Sequence, residues 1–264
     1  MSTQPIGVFD SGLGGLTVLK VLAEKFPQEN FLYLGDTARL PYGNKSPNTI
    51  RKYAEQNMNY LIQQNVKAIV VACNSASSQI PEKEWREVPV YNVIEPGAKK
   101  AVEVSTNKKI GVLGTRATIN SDVYPIHIHS LDKSAEVYVQ ACPLFVPLAE
   151  EGWSDDPITN LVAYRYLQPM INTGVDTLVL GCTHYPILKN AIQKVMGNGV
   201  TLVDSGETIA ENLAIDFAAK KIKTTAGHAA PGQSREIKIA LTDYSDHTRA
   251  LAKTLIYPLD AQFG

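Results

Sequence analysis

Short apolar runs rich in valine, isoleucine and leucine alternate along the chain with longer amphipathic segments, and this alternation predicts an α/β fold. Two further observations sharpen the prediction. The chain carries an approximate internal repeat, and its chemically useful residues fall where apolar strands end. Together they predict two similar three-layer α/β domains with mostly parallel sheets, facing each other across a central cleft.

The elements follow in order. Ile6–Phe9 reads as a strand and Leu16–Lys25 as a helix with Leu16, Leu19 and Val21–Ala23 apolar. Phe31–Leu34 is a second strand. Pro47–Gln64 is a helix, with Ser46 as its N-cap and Pro47 in its first turn. Ala68–Ala72 is apolar throughout, as a strand buried on both faces must be. Val90–Ile94 is a fourth strand. The pattern then restarts with strands at Lys109–Leu113 and Glu136–Val139, a helix at Ile158–Asn172, and a buried strand at Thr177–Leu180. A helix at Ile187–Met196, a strand at Gly199–Val203 and a helix at Thr208–Lys220 come next. A polar loop covers Thr224–Arg235, most loop-like at His228–Ser234. A strand at Ile237–Leu241 and a helix at Asp246–Leu255 close the chain.

The repeat joins two pairs of strands. Ile6-Gly7-Val8-Phe9-Asp10-Ser11 resembles Ile110-Gly111-Val112-Leu113-Gly114-Thr115, 104 positions on. Ala68-Ile69-Val70-Val71-Ala72-Cys73-Asn74-Ser75 resembles Thr177-Leu178-Val179-Leu180-Gly181-Cys182-Thr183-His184, 109 positions on. Buried strands draw on few residue types, which explains some likeness. It does not explain the shared ending: a small residue, a cysteine, then a short polar donor.

Composition excludes several classes. The chain has 264 residues, 44% hydrophobic and 19% charged, ordinary for a globular enzyme. A formal net charge of −1 supplies no basic field for nucleic acid or an anionic membrane. No apolar run reaches the roughly 18–20 residues of a membrane span. Met1–Pro5 is polar and unlike a signal peptide, so a cytoplasmic location is expected. The three cysteines form no CxxC and no zinc-spaced cluster, so free thiols and no metal are expected. His127 and His129 show no metal spacing and read as surface residues.

The strand ends point to a chemistry. Asp10-Ser11-Gly12, Cys73-Asn74-Ser75 and Cys182-Thr183-His184 all lie at carboxyl ends of predicted strands, as do Asp36 and Thr115. Thiols supplied by two facing halves would meet a ligand on opposite faces. That arrangement suits inversion of a stereocentre beside a carboxylate, which a single base serves poorly: a thiolate takes the α-proton from one face and a thiol returns one to the other. An unperturbed thiol has a pKa of about 8.5, so both forms are reachable near neutrality. Asn74, Ser75 and Thr183 are short donors suited to holding the carboxylate as charge develops. Asp10 can relay a proton for Cys73, and His184, helped by Glu150, can do so for Cys182. The glycines of Asp10–Gly15 let backbone amides approach an anion at a helix N-terminus. Pro41-Tyr42-Gly43 reads as a loop for the far end of the substrate. Cys142 lacks such a context and reads as structural.

At these residues the chain resembles the glutamate racemases of bacterial cell-wall synthesis. The resemblance is carried by Gly7–Gly15, Gly35–Arg39 with Pro41-Tyr42-Gly43, Ala72–Ser77, Pro143–Leu148 and Leu180–Pro186. It implies two α/β domains, residues 1–96 plus 207–264 and residues 97–206, around a buried glutamate site. It implies catalysis by Cys73 and Cys182, with Asp10, His184 and Glu150 in support. Substrate contacts would fall on Asp10, Ser11, Tyr42, Gly43, Asn74, Ser75, Thr183 and His184. It further implies no pyridoxal phosphate, metal or nucleotide, and a homodimer that supplies D-glutamate for peptidoglycan. Such families most often carry threonine where this chain has Ser75, and Glu151 adjoins Glu150 closely enough to exchange roles with it. An aspartate or hydantoin racemase, a phosphate-binding module on the Asp10–Gly15 loop and a thiol redox protein are the competing readings. The loop lacks P-loop and dinucleotide spacings, and no resolving cysteine is evident.

Overall fold

The computed structural model describes residues 4–225 and 235–264. Most of the polar loop expected after Thr224, including His228–Ser234, lies outside the described residues, as do the first three residues of the polar N-terminus.

In chain order the elements are β1 (Ile6–Asp10), α1 (Leu16–Lys25), β2 (Phe31–Gly35), α2 (Pro47–Gln63), β3 (Ala68–Val71), α3 (Asn74–Ser77), β4 (Glu84–Trp85), β5 (Val88–Asn92) and α4 (Ile94–Val104). Then come β6 (Lys109–Gly114), α5 (Arg116–Asn120), α6 (Val123–Leu131), β7 (Glu136–Ala141), α7 (Phe145–Glu150), α8 (Pro157–Thr173), β8 (Thr177–Gly181) and α9 (Lys189–Met196). The chain ends with β9 (Thr201–Asp204), α10 (Ser205–Ala218), β10 (Ile237–Leu241), α11 (Asp246–Ile256) and β11 (Gln262–Phe263).

Two sheets form, as the alternation predicts. One runs β11-β10-β2-β1-β3-β5-β4 and the other β7-β6-β8-β9. Every pairing is parallel except that of β4 with β5. The repeat is written into the topology. The order β2-β1-β3-β5 matches β7-β6-β8-β9 strand for strand. The registers also coincide: Ile6 lies opposite Ala68 as Ile110 lies opposite Thr177.

Alternation of side chains across each strand puts a core on both faces. In the first sheet, Ile6, Val8, Tyr33 and Val70 pack against α1, α10 and α11, while Phe9, Leu34, Ile69 and Val71 pack against α2. In the second, Leu113, Leu178 and Leu180 face α7, α8 and α9, and Ile110, Val112 and Val179 face α4 and α6. No helix among the described residues is long and apolar enough to cross a membrane.

The structure departs from the expected boundaries where local polar contacts decide. The strand expected at Val90–Ile94 lies at Val88–Asn92, because the Asn92 side chain accepts from the Ile94 amide at 3.2 Å and starts α4 there. The helix expected from Ile187 begins only at Lys189, after a 3₁₀ turn at Tyr185–Leu188. Helices α4, α6 and α7 were hidden by Pro96, Pro125 and Pro147. Each proline is the third residue of its helix, where the backbone N–H has no intrahelical partner to lose.

Candidate active site

Both repeated strand ends open into one cavity. Its walls include Ser11, Gly12, Cys73, Asn74 and Ser75 from the first half and Cys182, Thr183 and His184 from the second. Leu40, the 41–43 loop, Thr115, Val146 and Glu150 complete it. The two thiols are free, buried and held at the ends of β3 and β8. The cavity between these walls is narrow and largely enclosed.

The two thiols have unlike surroundings. Cys73 Sγ lies 3.6 Å from Ser11 Oγ, and no salt bridge or hydrogen bond among the described residues brings a cationic side chain to it. Burial, with the charge of Asp10 adding, pushes the Cys73 thiol up to about 12. That direction favours the protonated form of Cys73. Cys182 Sγ lies 3.9 Å from His184 Nδ1, and His184 Nε2 lies 3.1 Å from Glu150 Oε1. Burial opposes a charged imidazole here. The bonds and charges of Cys182 and Glu150 outweigh it and raise His184 to about 10. An imidazolium thus stands beside one thiol and not the other, ready to stabilise negative charge on Cys182 Sγ. Glu150, at the end of α7, makes this contact; Glu151 is exposed on the following turn.

This arrangement predicts a pH effect. Activity falls on the alkaline side as His184 loses its proton near 10. Glu150→Gln removes a carboxylate that holds that proton, so the alkaline limb of kcat/KM moves down by roughly one unit. A pH–rate profile of the variant checks this, with little change expected at neutrality.

The Asp10–Gly15 loop does something different from the anion cradle its glycines suggest. The anion it holds is the chain's own Asp10, whose carboxylate accepts from the Gly12 amide at 3.0 Å and from Thr183 Oγ1 at 3.3 Å. Burial raises the Asp10 carboxyl, against the opposing charge of His184. Gly14 serves close packing: a Cβ there would lie 2.5 Å from the His184 ring and 2.5 Å from Thr183 Oγ1. Asp10 makes no hydrogen bond to Cys73; it stands within range of both Cys73 and His184 by charge.

The remaining donors are pinned from across the cleft. Asn74 Oδ1 accepts from the Tyr124 hydroxyl at 2.7 Å, and its Nδ2 donates to Ser205 Oγ at 3.3 Å. Ser75 Oγ lies 2.8 Å from Thr115 Oγ1. Thr115 caps α5 and lines the cavity, a role the repeat anticipates because it occupies the place of Ser11. Tyr124 and Ser205 carry no such sequence signal. Tyr42 and Gly43 line the cavity, but the Tyr42 hydroxyl turns away from it to donate to Asp36. Cys142 is fully buried, with its Sγ 3.6 Å from the Gln140 carbonyl, and does not line the cavity. His129 is exposed, while His127 is half-buried.

Comparison with known proteins agrees with this geometry. The family model described as Asp/Glu/Hydantoin racemase matches residues 7–213. A glutamate racemase of Sulfurihydrogenibium sp. (strain YO3AOP1) is 53% identical over 213 residues, covering 80% of this chain and 82% of that protein. Among solved structures, a glutamate racemase isoform from Bacillus anthracis superposes with a TM-score of 0.90 at 33% identity, covering 99% of this chain and 96% of that one. The glutamate racemase of Francisella tularensis subsp. tularensis SCHU S4, solved in complex with D-glutamate, gives a TM-score of 0.89 at 36% identity, covering 100% of this chain and 97% of that one.

Proposed function

Because the chain belongs to the Asp/Glu/Hydantoin racemase family, we propose that it interconverts L- and D-glutamate by passing the α-proton between two thiols, Cys73 and Cys182, without a cofactor. The choice of glutamate is supported by the curated and structural relatives, which bear that name. The two-thiol mechanism is supported chiefly by one observation. Two free cysteines, from matching strand ends of the two halves, line a single cavity.

Glutamate binds with its α-carboxylate toward Asn74, Ser75 and Thr183 and its far carboxylate toward the 41–43 loop. Asp10, Ser11, Gly43 and His184 complete the contacts. The Cys182 thiolate, paired with the His184 imidazolium, takes the α-proton of one enantiomer. Negative charge spreads into the carboxylate, where the short donors hold it. The Cys73 thiol protonates the opposite face. The enzyme is left with a Cys73 thiolate and a Cys182 thiol, the reverse of the form that began the turnover. In that form it is set for the opposite enantiomer. Asp10 and His184 return the protons between turnovers.

Residues 1–96 with 207–264 form one catalytic domain and residues 97–206 the other. The protein works in the cytoplasm as a homodimer and supplies D-glutamate for peptidoglycan. The exposed side chains of Ile158, Leu161 and Tyr164 on α8 offer apolar surface for association. The activity is tested by incubating the protein, free of cofactor and metal, with L-glutamate and following optical rotation to zero. Turnover of aspartate instead would reassign the substrate, and no reaction with either would refute the reading.

A further inference from the structure

We propose that Asp36, held by the C-terminal Thr242, is the positioning residue that aims the Pro41-Tyr42-Gly43 loop at the substrate's far carboxylate. A segment beyond residue 213, where the match to the shared family model ends, thereby tunes which amino acid is accepted. The inference rests on the glutamate reading above.

Asp36 follows β2, is fully buried and does not line the cavity. Its carboxylate is saturated with donors. Arg39 Nε reaches its two oxygens at 2.9 and 2.7 Å, Thr242 Oγ1 donates at 3.0 Å, and the Tyr42 hydroxyl donates as well. The same phenol oxygen accepts from Asn57 Nδ2 at 3.1 Å. The single O–H of Tyr42 is therefore committed, and the loop must face the substrate with its main chain. Arg39 is fixed in turn over the Tyr53 ring, 4.4 Å from its centroid.

The tail grips the other side of this hub. β10 pairs with β2 so that Leu241 lies opposite Gly35, and the Thr242 amide donates to the Gly35 carbonyl at 3.0 Å. Thr242 Oγ1 also accepts from the Ala38 amide at 3.0 Å. Thr37 Oγ1 and the Asp243 backbone exchange bonds of 2.7 and 2.8 Å. On the cavity side Gly43 presses on Thr115, where a Cβ would come within 2.6 Å. The loop is clamped between the tail and the second half. Its position sets how long a side chain fits between the thiols and the loop, and glutamate is one methylene longer than aspartate.

Thr242→Val keeps the side-chain size and removes the hydroxyl. It should raise the KM for glutamate about tenfold while kcat stays within about twofold, the signature of lost substrate positioning. The preference for glutamate over aspartate should shrink with it. Thr242→Ser restores the hydroxyl and should restore the wild-type KM. Tyr42→Phe breaks the same hub from the loop side and should repeat the KM effect, so the test survives if one variant folds poorly. Unchanged KM in Thr242→Val and Tyr42→Phe, or a fall in kcat with KM unchanged, would overturn the proposal. A wild-type protein inert toward glutamate would instead remove the glutamate reading.

Discussion

Replacing either Cys73 or Cys182 with alanine lowers racemisation by at least about a thousandfold, the scale expected when a positioned acid or base is lost. In the proposed mechanism either loss is sufficient, because each turnover uses both faces of the substrate. Enantiomers have equal free energy in water, so their equilibrium constant is one. The kcat/KM values for L- and D-glutamate must therefore stay equal in every variant, and no single-thiol enzyme can keep one direction and lose the other. What such a variant can keep is exchange. The surviving thiol can remove the α-proton of one enantiomer and return a solvent proton to the same face. Deuterium uptake without loss of optical rotation would identify that state. Cys142→Ala is the control. Its thiol is fully buried but outside the cavity, so the substitution leaves kcat within about twofold and costs about 1 kcal/mol of stability from the small void. Racemisation measured by polarimetry on all three variants decides the matter.

His184→Asn is expected to have the next largest effect, a fall of about a hundredfold in kcat/KM at neutral pH. The geometry explains why. His184 is the group joining Cys182, at 3.9 Å, to Glu150, at 3.1 Å, and those partners raise it to about 10. At neutral pH it carries a positive charge beside the thiol. Asparagine can still donate a hydrogen bond but supplies no charge. The alkaline limb that His184 sets near 10 should vanish from the profile of this variant, whereas Glu150→Gln only moves it. Equal loss in both directions is required here too. An alkaline limb that survives in His184→Asn would assign it to another group.

Much of this arrangement is visible in the bare sequence, and the limits have physical causes. The core strands β1, β3, β6 and β8 are short, mostly apolar runs buried on both faces. The matching endings at Cys73 and Cys182 place the thiols without any contact being known. Thr115 follows from the same repeat once Ser11 is noticed. The choice between Glu150 and Glu151 depends on the phase of a six-residue helix that Pro147 disguises, so spacing cannot make it. The orientation of Tyr42 depends on Asp36, Asn57 and, through Asp36, Thr242, the last 200 residues away along the chain. Likewise Tyr124 and Ser205 hold Asn74 only because the second half folds back over the first. Local pattern reports which residues are buried and where strands end. It does not report which distant side chain turns a hydroxyl away from a ligand.

The central claim is that one thiol takes the proton and another returns it on the opposite face. Early turnover of L-glutamate in deuterated water tests it most directly, with the α-position of each enantiomer read by mass spectrometry after chiral separation. The two-thiol account predicts that newly formed D-glutamate carries deuterium while the recovered L-glutamate keeps its protium. Deuterium entering the recovered L-glutamate as fast as D-glutamate forms would contradict it, because one base would then be serving both faces.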